Sequence, residues 1–258
     1  MDEHADEFGD NLERAEEAVP EVYEAFLSEP CEALGGKSPK SFFEAEKDAC
    51  DLVDWLCEYY ALGIPIPDIL TERIVDLGKD AEFALVSLFR NQETDDDLRM
   101  ICISALRELD SILPMRDYVA VVSQAETMDG VAEAAAESLG YMGEGPVEMI
   151  LSILPESTET GKDLFCDILS GAAFDERIAG FLRERFLCHP ENRALYASYL
   201  AKYADEGALP MLISAAKEPA INYLDYIELA NAIEQLGGER PPEREFAGDP
   251  FYESMKEL

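Results

Sequence analysis

Positive charge is what this sequence most lacks. Its 258 residues carry 20 lysines and arginines against 56 aspartates and glutamates, a formal net charge of −36. A field of that sign repels phosphate backbones and anionic headgroups, so it argues against direct binding of nucleic acid or of a membrane surface. Histidine is scarce as well: His4 lies in an acidic stretch and His189 precedes Pro190. Cys31, Cys50, Cys57, Cys102, Cys166 and Cys188 are scattered without a CxxC pair, so the spacing of a zinc site is missing. Most of them sit among apolar neighbours, as reduced packing thiols do. No uninterrupted apolar run reaches the roughly 18 residues that span a bilayer. The opening Met1-Asp-Glu-His-Ala-Asp-Glu7 has neither the basic stretch nor the apolar core of a secretory signal. The expectation is a cytoplasmic protein.

Catalytic signatures are missing too. No HExxH, P-loop, GxSxG or dinucleotide-binding fingerprint occurs. Gly140, Gly143 and Gly145 follow a helical pattern with no preceding strand, so they read as turn glycines. The cluster Glu93-Thr-Asp95-Asp-Asp97 lacks the alternating ligands and the following glutamate of a calcium loop. As carboxylates just ahead of a helix beginning near Leu98, Asp95, Asp96 and Asp97 instead suit the positive end of its dipole. Thr158-Glu-Thr160 likewise reads as a helix start. Nothing calls for a metal, a cofactor or a catalytic residue, and the expectation is that the protein is not an enzyme.

What is present is a 48% hydrophobic content, ample for a buried core, arranged at helical spacing. Residues 1–19 are dominated by carboxylates, with Arg14 their one arginine or lysine, and self-repulsion predicts a disordered or weakly helical arm. Residues 20–64 read as a helical N-terminal cap. Pro20 is placed as the first residue of a helix ended by Leu34-Gly35-Gly36. Ser38 and Pro39 open a second helix, expected to run unbroken to Tyr60 and to cover the end of the following array with Phe42, Trp55, Tyr59 and Tyr60. Gly63-Ile-Pro65-Ile-Pro67 then breaks the helix.

Residues 65–238 are periodic. Ile74, Leu106, Leu139, Ile168, Leu200 and Ile233 stand at spacings of 32, 33, 29, 32 and 33. Four residues after each come Gly78, Asp110, Gly143, Ala172, Ala204 and Gly237, small or turn-forming residues of the kind a helix C-terminus needs. Each unit reads as helix, turn, helix, with second helices at Ala81 to Phe89, Leu113 to Gln124, Val147 to Leu154, Asp175 to Leu187 and Leu209 to Ala216. A lone hairpin of that length cannot bury its apolar stripe, so stacked hairpins are predicted. Pro241-Pro242 ends the array, and Phe251, Met255 and Leu258 predict a short docked helix in the tail, residues 239–258.

Ala136-Glu-Ser-Leu-Gly-Tyr-Met-Gly143, followed by Pro146 and the apolar run from Val147 to Leu154, resembles a HEAT repeat, especially the short phycobilisome-lyase-like type. Ala197 to Asp205 with Leu209 to Ile213 is the second-best match. The resemblance departs at Ile168 to Ala173, where Gly171 replaces a large residue and the spacing shortens. It implies an all-α fold, a right-handed α-solenoid of helical hairpins. Leu34-Gly-Gly-Lys-Ser-Pro39 also resembles a turn of several bacterial helical proteins. HEAT architecture hosts many jobs. A non-enzymatic protein-interaction scaffold is the leading expectation and a chromophore (bilin) lyase the alternative; HEAT-like DNA repair would need a basic concave face.

The acidity predicts a cationic protein or peptide as partner, bound in the groove lined by the second helices. Against that background Arg177, Arg183, Arg185 and Arg193 are the densest basic group. Arginine forks take carboxylates bidentately, so the group is a candidate for holding an acidic peptide or the chain's own arm. Pairing with Asp175, Glu176, Glu184 and Glu191, within helical reach, is the simpler expectation. Tyr196, Tyr223 and Tyr226 join the four arginines as candidate partner-binding residues, while half of the tyrosines crowding the later repeats are assigned to the core.

Overall fold

Single side chains set many of the helix starts. Ser38, Asp48, Asp129, Thr158, Asp175 and Asn222 each accept a hydrogen bond from a backbone N–H in the turn that follows. Such a cap satisfies one of the orphan donors at a helix N-terminus and is worth about 1 kcal/mol. The computed structural model describes residues 12–256, and among these the regular structure is entirely helical, fifteen α-helices joined by turns and short 3-10 segments. No helix among the described residues is long and apolar enough to cross a membrane. The chain divides into two compact units, Met1–Ser111 and Ile112–Leu258. The division falls inside the periodic segment.

The first unit contains α1 (Leu12–Ser28), α2 (Pro39–Ala45), α3 (Ala49–Ala61), α4 (Asp68–Asp76), α5 (Lys79–Arg90) and α6 (Asp96–Glu108). Two expectations are corrected here. Helix α1 starts before Pro20, which lies inside it, and stops at Ser28 instead of reaching Leu34. Pro30 explains the early stop, because proline disfavours helical backbone in the residue before it. The predicted helix from Pro39 to Tyr60 is two helices. The Glu46 carboxylate accepts the N–H groups of Lys47 and Asp48 at 2.8 and 2.9 Å, and Asp48 caps α3 through the Cys50 N–H at 2.9 Å. These local bonds compete with helix continuation. Arg73 of α4 holds the break by donating twice to the Glu46 carbonyl, at 3.1 and 2.7 Å. Across it Phe42 stacks on Trp55, with centroids 5.5 Å apart. Residues 1–11 of the acidic arm lie outside the described residues.

The second unit contains α7 (Met115–Ser123), α8 (Gly130–Tyr141), α9 (Val147–Ile153), α10 (Glu159–Ser170), α11 (Glu176–Cys188), α12 (Arg193–Lys202), α13 (Leu209–Ala216), α14 (Tyr223–Gln235) and α15 (Pro250–Lys256). Helix α8 packs on α7 and α10, α10 on α12, and α12 on α14, while α11 leans on α12 and α13 on α14. The tail helix packs on α14, where Phe251 stacks on Tyr223 with centroids 6.1 Å apart. Tyr223 meets Phe246 and Tyr252 at 5.3 and 5.0 Å, whereas Met255 is half-exposed and Leu258 lies outside the described residues.

The sequence period reappears as local geometry. Ile74, Leu106, Leu139, Ile168, Leu200 and Ile233 are all buried. The residue three positions on is the helix C-cap in every case: Leu77, Leu109, Met142, Gly171, Tyr203 and Leu236. The next residue has a positive φ at Gly78, Asp110, Gly143, Ala204 and Gly237. The N–H groups of Ser111, Asp205 and Gly238 then bond back to the carbonyls of Leu106, Leu200 and Ile233, five residues earlier. This is the Schellman closure, which satisfies a carbonyl the helix end leaves orphaned. Ala172 is the exception. There α10 ends on a right-handed Gly171, and the Glu144 carboxylate takes the Ala173 N–H at 2.6 Å.

Gly140 and Gly143 separate the two uses of glycine. Gly140 lies inside α8 with nothing within 4 Å of where a Cβ would stand. Gly140→Ala is therefore expected to stabilise the protein by about 0.5–1 kcal/mol in urea unfolding. Gly143, at φ +60°, is expected to lose about 1 kcal/mol on the same change, because a Cβ is strained there.

Candidate functional site

Helix α11 carries Arg177, Arg183 and Arg185, and Arg193 opens α12. Each guanidinium meets a carboxylate. Arg177 binds Glu148 at 2.5 Å and Asp175 at 2.6 Å. Arg183 grips Asp205 through two bonds of 2.6 and 2.5 Å and reaches Glu176 at 3.1 Å. Arg193 binds Glu218 at 2.6 Å. Asp205 is itself buried and closes its turn by accepting the Gly207 N–H. Internal pairing thus occupies all four arginines, with Asp175 and Glu176 among the expected partners, while Glu191 faces His189 at 3.2 Å instead.

Arg185 is the centre of the group. Only 5% exposed, it donates to Glu159 at 2.5 Å, to Asp163, and to the Tyr196 hydroxyl at 3.0 Å. Tyr196 in turn donates to Asp163 at 2.6 Å, and its ring lies 5.4 Å from the guanidinium carbon. The network ties α10, α11 and α12 together. Lys162, hydrogen-bonded at 2.7 Å, and then Arg185 hold the Glu159 carboxyl down at about 2. Burial, then the bond to Asp163, pushes the Tyr196 phenol well above its usual value. Arg185 Nε is the one buried nitrogen of the guanidinium without a hydrogen-bond partner among the described residues. A cleft of about 400 Å³ opens beside the network, lined by Leu154, Pro155, Glu159, Lys162, Phe181, Glu184, Arg185, Cys188 and His189.

Chemically this arrangement is a closed charge network. Its carboxylates are hydrogen-bonded, with Glu159 held down toward the ionised form and the phenol held protonated, so it presents no poised acid and base pair. Among the described residues no group of three or more His, Cys, Asp or Glu could hold a metal ion. Burial pushes the Cys102 and Cys166 thiols up, Cys102 to about 12, as suits packing cysteines. Cys50 and Cys188 are exposed, unlike the apolar setting expected for most of the six.

The structure brings Tyr196 to Arg185 but places Tyr223 and Tyr226 elsewhere. Tyr226 is buried; its hydroxyl donates to the Pro242 carbonyl, and Arg244 stacks on its ring at 5.0 Å. Tyr223 is half-buried against the tail. Near them a second, open cleft of about 700 Å³ is lined by Ile213, Lys217, Tyr226, Arg240, Pro242 and Arg244, among others. The residues that sequence reasoning missed are Glu148, Glu159, Asp163, Asp205 and Glu218. They lie 22 to 33 residues from their partners, about one period of the repeat, where a search within one helix does not look. Compared with known proteins, the chain matches no family model, no curated protein and no solved structure.

Proposed function

We propose that this chain is a cytoplasmic, non-enzymatic scaffold of the HEAT-type α-solenoid kind, and that it binds a cationic protein or peptide. The recurrence of buried apolar residue, C-cap and positive-φ turn at the repeat period supports the architecture. One observation carries the choice of partner: the densest basic group is neutralised from within. An acidic ligand would have to displace carboxylates already 2.5–2.6 Å from Arg177, Arg183, Arg185 and Arg193. With those cations engaged, the surplus of −36 is what the surface offers a partner. Long-range attraction of that kind governs encounter rate and is screened by salt.

Affinity capture from the source cell, compared at low and high salt by quantitative mass spectrometry, tests the reading. Basic proteins should be retained at low salt and released as salt rises. Capture that returns nothing at low salt, or only partners indifferent to salt, would remove the electrostatic basis of the proposal.

A further inference from the structure

We propose that the open cleft between α13 and the extended segment after α14 binds a small organic monocarboxylate with an apolar body. Beyond the positive-φ turn at Gly237, Pro241 and Pro242 fix φ and supply no N–H, so the chain stays extended instead of starting another helix. The segment returns along α14 until Phe246 meets Tyr226 with centroids 5.1 Å apart, and the Tyr226 hydroxyl donates to the Pro242 carbonyl. Beside it opens the cleft of about 700 Å³, a volume within the range of small-molecule sites. Ile213, Ala216, Pro241 and Pro242 supply its apolar lining.

Arg244 is the residue that points to a ligand. In a chain with 56 acidic residues it pairs with no carboxylate among the described residues. Two rings and a carbonyl hold it instead. The guanidinium carbon lies 5.0 Å from the centroid of Tyr226 and 4.7 Å from that of Phe246, both buried, and one N–H donates to the Glu218 carbonyl at 3.0 Å. A guanidinium carries five donors in a fixed fork, so this single bond leaves most of them unspent. The Glu218 carboxylate does not neutralise it, because it binds Arg193 at 2.6 Å. Lys217, one residue before that carbonyl, lines the same cleft, is exposed and makes no hydrogen bond or ion pair among the described residues. Arg240, the remaining cation of the lining, is bound to Glu234. An arginine fork preset by aromatic rings takes a carboxylate bidentately, and a neighbouring ammonium adds a point charge. Charge also selects among anions. Glu239 and Glu243 line the cleft as well, and the net charge of −36 opposes a ligand in proportion to its own negative charge. A phosphate dianion or an acidic peptide meets more of that repulsion than a single carboxylate whose uncharged body lies on the apolar lining.

Ligand-observed NMR on the full chain tests this with hexanoate and 3-phenylpropanoate, each beside its alcohol, 1-hexanol and 3-phenylpropan-1-ol, and with inorganic phosphate. At least one carboxylate should bind with a Kd of about 1 mM or tighter, and the alcohols and phosphate roughly tenfold more weakly. Arg244→Lys keeps the charge and loses the fork, so it should weaken the carboxylate roughly tenfold. Lys217→Gln should weaken it several-fold, whereas Lys79→Gln, exposed on α5, removes the same charge outside the cleft and should change nothing. Thermal melting followed by circular dichroism checks the fold of each variant; should Arg244→Lys melt early, Lys217→Gln decides. No carboxylate binding at about 10 mM, alcohols that bind as tightly as their acids, or affinities indifferent to the cleft variants each overturn the site. Phosphate binding more tightly than either carboxylate overturns the assignment of the ligand. None of these outcomes touches the acidic-scaffold reading, which stands on its own partner capture.

Discussion

Leu139→Asp is expected to lose about 4 kcal/mol or more, read as a collapse of the urea midpoint. Leu139 has no exposed surface and lies on α8 beside Val131, Ala132, Ala135 and Ala136, all buried. Removing its methyl groups from the core forfeits the transfer energy and opens a void, at about 2–3 kcal/mol. The new carboxylate would then be buried among alanines and valines, so it must either ionise unpaired or take up a proton, and both cost further free energy. Against a total stability of about 5–15 kcal/mol, that sum leaves little folded protein at physiological temperature. A midpoint for Leu139→Asp equal to the parent's would show that the apolar column of the repeat has been placed in the wrong register.

The column itself was legible because it depends on few residues at fixed offsets. An apolar side chain that must be buried, followed four positions later by a residue tolerant of positive φ, is a joint requirement of packing and helix termination, and both leave a mark in the sequence. Five of the six turns take a positive φ, Asp110 and Ala204 among them without the help of glycine. The sixth, at Ala172, is where the spacing shortens to 29. The helix break at Glu46–Asp48 was missed for a different reason. Apolar periodicity continues straight through it, while the deciding bonds come from one carboxylate to two local N–H groups and from Arg73, 27 residues away. The arginine group was found by composition, and its internal neutralisation was foreseen. Its partners were foreseen only in part, at Asp175 and Glu176, because Glu159, Asp163 and Asp205 approach from other helices and turns. Pairing across helices depends on how one repeat lies on the next, which periodicity alone does not specify.

Arg185→Met should cost about 3 kcal/mol, and the way that loss is recovered distinguishes a structural lock from a binding site. Removing the guanidinium leaves Asp163, whose side chain is 19% exposed, with Tyr196 as its remaining partner in the network, and an uncompensated buried carboxylate is expensive. Glu159 adds less, since its side chain is 61% exposed and Lys162 still binds it. Replacing the rest of the buried network as well, in Arg185→Met/Asp163→Leu/Tyr196→Phe, should restore most of the stability, because apolar packing of similar volume often equals a buried ion pair. The pH dependence follows from Glu159. Its folded-state pKa of about 2 lies below its ordinary 4.5, so its contribution is complete above about 4.5 and is lost as pH falls toward 2. Lys162 is the larger cause of that depression and Arg185 the second. In Arg185→Met the folded-state pKa should therefore rise part of the way back, and the acid-side loss of stability should shrink without vanishing. Urea titrations of the parent and both variants between pH 2 and pH 7 would measure this. If the triple variant regains stability and still captures basic proteins at low salt, the network serves to hold α10, α11 and α12 together. If it regains stability but loses them, the carboxylates around Arg185 also form part of the surface the partner meets.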